Sequence, residues 1–453
     1  MKGIKEVLFY LTVCVGVAIS STSFTIIAGL NEMMSGGWIL LSILVGGALC
    51  FGVARLLSEL ASIYPSAPGI RTYLLRGFTN KISLFFVFVY IIFVVFIGSV
   101  ESYMFALVVQ SVFPSIPIIA TMLILIAAIV SVNCVGLELP RNIQIVATFL
   151  LIIGILAFGA MGIIHSKAPL AVVESFRNAN QAWLFPASIG FSIFLFMGFE
   201  WATSLGLSSK AYLKKIPRSM QSAIVVNTVV YIIFCWGLSL SISQKVIADS
   251  RTPHVLLAQF QLGHLGLYVG LLVSFVAIVG TFNAGVMGGA RFIYIVAREG
   301  HLPPFAAKIS LKYGSPIGAV ILLCGLVLVS SVTVYWYRLE IVFALISSSI
   351  ICFIYAALVL SLLRIKSASN KPKINYESKM PIWTHWALVV VLSIFGILTL
   401  FSIPEVVTLV LLGIGSIFIF AQVAAVWSLK FKERNKLKKE EGKVESASLP
   451  ITT

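Results

Sequence analysis

Two carboxylates stand in stretches where nearly every neighbour is apolar. Glu101 lies in Gly98-Ser99-Val100-Glu101-Ser102-Tyr103, and Glu200 closes Phe194-Leu195-Phe196-Met197-Gly198-Phe199-Glu200. A charged side chain at the centre of a bilayer costs about 2.5–3.5 kcal/mol on insertion scales. Such a group needs either a partner or a task. It can exchange a proton, or it can pair with a cationic amine. The plainer alternative is a carboxyl kept neutral or bonded to a buried hydroxyl.

Ser20, Ser21, Thr22 and Ser23 form four hydroxyl residues in a row between Ile19 and Phe24. Hydroxyls can bond backbone groups and so tolerate a helix break in lipid, although serines also pack membrane helices together. Gly198 permits a second break, beside a possible apolar wall of Phe194, Phe196 and Phe199. Thr281 and Ser274 offer oxygens of the kind a hard cation such as sodium takes, with helix packing as their ordinary role. Asn283 reads as a helix-to-helix hydrogen-bonding residue, and Gly285 with Gly289 as a small-residue packing pair. No zinc-protease, nucleophile-elbow or phosphate-loop pattern occurs, which argues against an enzyme and against ATP-driven work. The six cysteines lack metal-ligand spacing and an exposed partner, so neither disulfides nor zinc are expected; no other cofactor is expected.

The elements that would carry these residues follow from composition. Of 453 residues, 59% are hydrophobic and only 11% charged, against about 25% charged in a soluble domain. Lipid must solvate much of the chain. A span needs roughly 20 apolar residues. That length fits at 7–29, 36–60, 82–112, 116–136, 141–164, 184–208, 219–243, 265–297, 316–337, 339–363, 383–402 and 404–429. The first run is too long for a signal-peptide core and reads as a retained span. With the N-terminus inside, 27 of the 32 Lys and Arg fall on the cytoplasmic side, leaving Lys167, Arg177, Lys245, Arg251 and Arg338 outside. That asymmetry predicts a cell-membrane protein with both termini cytoplasmic. It also accounts for the net charge of +16 without a nucleic-acid partner. The segment 430–453 reads as a basic, solvated tail.

Three stretches resemble the amino acid–polyamine–organocation (APC) permeases. They are Glu59-Leu60 through Tyr64-Pro65, Gly69 and Tyr73 to Phe78; Gly198-Phe199-Glu200 with Lys210 and Ile216-Pro217-Arg218; and Asn283-Ala284-Gly285 leading through Arg291 and Tyr294 to Ala297-Arg298-Glu299-Gly300-His301-Leu302-Pro303. The resemblance implies an all-α membrane protein with a five-plus-five inverted repeat of the LeuT type and two further helices. The halves would be 1–164 and 184–364, followed by 383–429. It also implies secondary transport of amino acids or amines, with substrate held where spans one and six break. Ser21 and Thr22 would then face a substrate carboxylate, with Phe194, Phe196 and Gly198 at the unwound part of span six. This chain departs from the family in having Ser20 and Thr22 where glycines are usual, Leu207-Ser208 in place of an acidic pair, and no lysine in span five. The missing lysine ranks exchange, or proton coupling through a carboxylate, ahead of sodium. A channel would want a repeated polar ring, and a membrane enzyme several paired acids or histidines at one depth. Both remain as alternatives. Neither the particular substrate nor the oligomeric state is legible.

Overall fold

The computed structural model describes residues 2–65, 69–136, 141–166, 183–204, 212–368, 376–402, 415, 419 and 421–424. The expected twelfth span at 404–429, the tail 430–453, and Lys167, Arg177, Leu207, Ser208 and Lys210 lie wholly or largely outside these residues. Every regular element among the described residues is helical.

In chain order the helices are α1 (Lys2–Ala18), α2 (Ser21–Met33), α3 (Gly37–Ile63), α4 (Gly69–Gly77), α5 (Asn80–Val112), α6 (Ile118–Cys134) and α7 (Arg141–Ile164). After them come α8 (Phe185–Ser192), two 3-10 turns (Ile193–Phe196 and Phe199–Ser204), α9 (Tyr212–Ser241), α10 (Gln244–Asp249) and α11 (Pro253–Leu262). The last are α12 (Leu265–Arg298), α13 (Ile317–Tyr337), α14 (Glu340–Ser367) and α15 (Ile382–Phe401). Nine described helical segments are long and apolar enough to cross a membrane, or ten when the bent pair α1 and α2 counts as one. The apolar α6 is shorter, at 17 residues. Each of the first eleven expected spans falls on one of these segments.

The longest helices, α5 with 33 residues and α12 with 34, measure about 50 Å at 1.5 Å per residue. That exceeds a hydrocarbon core of about 30 Å, so they tilt or protrude. Small residues set the closest approach between helices. A Cβ on Gly237 of α9 would collide with the backbone of Gly159 on α7, so only glycine fits there.

Ion pairs close the two ends of the bundle. At one end Arg71 of α4 donates to Glu299 Oε2 at 2.6 Å and also reaches Ser83 and Asn80. At the same end Lys366 pairs with the buried Glu59 at 2.6 Å, and Arg55 donates to the Ser378 carbonyl. At the opposite end Arg251 pairs with Glu340, and Arg338 donates to the Tyr103 hydroxyl at 3.3 Å.

Candidate functional site

The first break forms at Ser20, which is extended (φ −125°, ψ 170°) between α1 and α2. The two helices meet at 49°. A break in an apolar interior must satisfy every backbone group it frees, and the hydroxyl run meets part of that need. Ser20 and Ser23 form a reciprocal capping box, each hydroxyl accepting from the other residue's backbone N–H. The carbonyl of Ala18, left over at the end of α1, accepts from the Ser23 hydroxyl at 2.7 Å and from the Tyr231 hydroxyl at 2.8 Å.

Two further donors at the start of α2 are satisfied from another helix. Glu101, from the middle of α5, accepts from the Ser21 N–H on Oε1 at 3.0 Å. Its Oε2 accepts from the Thr22 N–H at 2.9 Å and from the Thr22 hydroxyl at 2.7 Å. The Thr281 hydroxyl of α12 lies 3.4 Å from Oε1. A carboxylate on the first N–H groups of a helix meets both free donors and the positive end of the dipole.

The second break follows α8. Met197 is extended and Gly198 has φ +102°, a conformation that favours glycine. An added Cβ there would also lie 2.5 Å from Val17 Cγ1 of α1, so the two breaks press against each other. Glu200 folds back across this gap. Its Oε2 accepts from the Gly198 N–H at 2.8 Å and from the Tyr355 hydroxyl of α14 at 2.9 Å.

Between the breaks lies a cavity with Ser20, Glu101, Gly198, Glu200 and Thr281 in its lining. Its remaining walls are mainly apolar, including Phe93, Trp201, Phe282 and Val327. A second cavity on the far side of Trp201 shares Glu200 and Trp201 as wall and reaches Arg291. The Trp201 indole partitions the two. Its Nε1 donates to the Tyr90 hydroxyl at 2.7 Å, and its ring lies against Gly285 and Gly288 of α12.

The structure thus brings Ser20, Gly198, Glu101, Glu200 and Thr281 together. Ser21 and Thr22 stand one step back, bonded to Glu101, and Ser23 holds the cap. Phe194, Phe196 and Phe199 do not line this cavity. They are buried in the packed core, where Phe196 meets Tyr231 edge-on and Phe199 packs on Tyr355. Ser274 sits two helical turns from Thr281 and bonds His254 at 2.6 Å. Burial pushes the His254 imidazole down to about 3, so it is neutral there. Asn283 accepts from Asn133 at 2.8 Å, tying α12 to α6. Gly289 packs on Leu323 and Val94, whereas Gly285 faces the indole. Trp201 lines the cavity although no motif in the sequence marks it. Its position directly after Glu200 was the available signal.

A profile of the amino acid permease family matches residues 10–440, almost the whole chain. The chain belongs to this family. Relatives of this amino acid permease include the uncharacterized amino acid permease YecA of Bacillus subtilis, 24% identical over 59% of this chain and 63% of that one. The human cystine/glutamate transporter is 23% identical over 45% of this chain and 41% of its own length. The γ-aminobutyric acid permease of Escherichia coli is 23% identical over 84% and 86% respectively. The permease thus spans less than two thirds of the first two relatives and most of the third. Among solved structures, a manganese transporter from Eremococcus coleocola has a similar fold, with TM-score 0.57 and 14% identity over 94% of this chain and 95% of that one. The permease is a multi-pass membrane protein of the APC superfamily.

Proposed function

We propose that this permease is a secondary active transporter, a symporter or exchanger of amino acids or related organic amines, with substrate held at the breaks of spans one and six. The observation that carries the reading is the shared cavity. Two helices of opposite halves of the chain break at one place, and the only carboxylates lining that place are Glu101 and Glu200 among the described residues. Broken helices in transporters free backbone groups for substrate at mid-membrane. The corresponding positions of the two breaks support a five-plus-five inverted repeat, with span eleven and a twelfth added to it. The ion pairs at both ends support alternating access, since each set must open in turn. The charge asymmetry of the loops supports cytoplasmic N- and C-termini, which puts the Arg71–Glu299 pair at the inner mouth.

Coupling by exchange or by a proton ranks ahead of sodium. The Thr281 hydroxyl donates to the Ala277 carbonyl of its own helix at 2.8 Å, with Glu101 at 3.4 Å, and Ser274 bonds His254, so the two hydroxyls do not converge on one ion. The test is uptake of a labelled panel of amino acids and amines into proteoliposomes, with and without unlabelled substrate inside. A transporter shows acceleration by trans substrate. A channel shows none, and an enzyme releases a modified product.

A further inference from the structure

The cavity at the two breaks is acidic at two points, and no Lys, Arg or His lines it among the described residues. The N-terminus of α2 is the natural anion site in this cavity, because its first N–H groups have no partner within the helix. Here that site is already filled from within the protein. Glu101 takes the Ser21 and Thr22 N–H groups and the Thr22 hydroxyl, and is itself 2% exposed. A substrate carboxylate arriving at the break would find these donors used and a like charge beside them.

The opposite wall has the complementary need. Glu200 is buried, and while its Oε2 accepts two hydrogen bonds, its Oε1 has no hydrogen-bond partner among the described residues. A buried carboxylate oxygen without a donor is costly, and an ammonium supplies three donors and the opposite charge. The rings of Phe93, Trp201 and Phe282 line the same space and suit both an apolar body and a cation held over an aromatic face.

We propose that Glu101 acts as a built-in carboxylate that occupies the anion site at the broken helix, so that the cavity selects amines lacking an α-carboxylate over the corresponding amino acids. The inference rests on the reading of this cavity as the substrate site of a transporter, and makes Glu101 its specificity-determining residue. Two carboxylates in one cavity accommodate a diamine, which would neutralise both, or a monoamine with one carboxyl protonated.

The test uses the full-length protein in proteoliposomes and two matched pairs: putrescine against ornithine, and phenethylamine against phenylalanine. Half-saturation is read from counterflow for each probe. The expected result is that in at least one pair the amine half-saturates at a concentration at least tenfold below its parent amino acid. Which pair responds distinguishes a diamine site from a monoamine site. Glu101→Gln should narrow that ratio at least tenfold, because the amide removes the charge and cannot accept at both Ser21 and Thr22. Parent amino acids taken up as well as, or better than, the amines in both pairs would overturn the inference and leave the transporter reading standing. So would an unchanged ratio in a folded Glu101→Gln. Absence of uptake of every amine and amino acid would remove the transporter reading, and this inference with it. If Glu101→Gln does not fold, the wild-type ratios alone decide.

Discussion

Replacing Gly198 by alanine tests whether the two broken spans form one mechanical unit. The residue has φ +102°, and holding a non-glycine residue in so sparse a region costs about 1–3 kcal/mol. The new methyl would also sit 2.5 Å from Val17 Cγ1 and 3.0 Å from Val17 Cβ, an overlap of the kind that costs about 1–3 kcal/mol in a packed core. The sum, about 2–6 kcal/mol, falls on the segment whose N–H also holds Glu200. If only half of the lower bound reaches the binding site, affinity drops about fivefold, and the upper bound removes binding. The assay is thermal unfolding of the purified protein together with half-saturation for counterflow. Val17→Ala separates the two contributions: it removes the Cγ1 overlap, leaving the 3.0 Å contact with Cβ and the dihedral strain. Gly198→Ala should therefore be milder, by up to about 1–3 kcal/mol, in the Val17→Ala background. A Gly198→Ala protein with wild-type unfolding temperature and wild-type half-saturation would refute the reasoning. So would equal effects in both backgrounds, as far as the contact with Val17 is concerned.

Thr22→Val keeps the shape of the side chain and removes the hydroxyl that donates to Glu101 at 2.7 Å. A hydrogen bond to a charged group contributes about 1.5–3 kcal/mol, so urea or thermal denaturation should show a loss of that size with weakened substrate binding; no change in either would separate Thr22 from the site. Uptake at a fixed pH gradient should be the same with and without a sodium gradient, and a strict sodium requirement would promote Thr281 to an ion ligand. Trp201→Ala removes the partition between the two cavities and its bond to Tyr90. It should raise substrate efflux from loaded proteoliposomes in the absence of exchange partner, and unaltered efflux would show that the indole is not a gate.

What could be read from the sequence was local chemistry. Four hydroxyls in an apolar run need a reason, and the capping box and the Ala18 carbonyl supply it. A glycine next to an intramembrane glutamate marked the second break for the same kind of reason. What could not be read was the direction in which side chains point after a break. A 3-10 turn advances 120° per residue where an α-helix advances 100°. Two such turns separated by Met197 and Gly198 therefore erase the helical phase that would assign Phe194, Phe196 and Phe199 to a face. This is why Trp201 rather than the phenylalanines meets the cavity. Partners distant in sequence were equally hidden. Ser274 and Thr281 share a helix face by spacing, but His254 claims the first, and the second donates to the Ala277 carbonyl beside Glu101. The tight seam of Gly159 and Gly237 likewise depends on which helices become neighbours.

The central claim, that substrate sits in the cavity between the two breaks, is tested most directly by protection of a thiol placed there. Ile97 lines the cavity, is half-buried and takes no part in the hydrogen bonds around Glu101. Among the native thiols, Cys14, Cys50, Cys235, Cys324 and Cys352 are buried and Cys134 partly so, which gives a low background. The rate at which a small methanethiosulfonate reagent labels Ile97→Cys in proteoliposomes should fall as substrate is added. Half-protection should come at the concentration that half-saturates counterflow. A labelling rate unaffected by saturating substrate, in a variant that still performs counterflow, would place the substrate elsewhere and contradict the account.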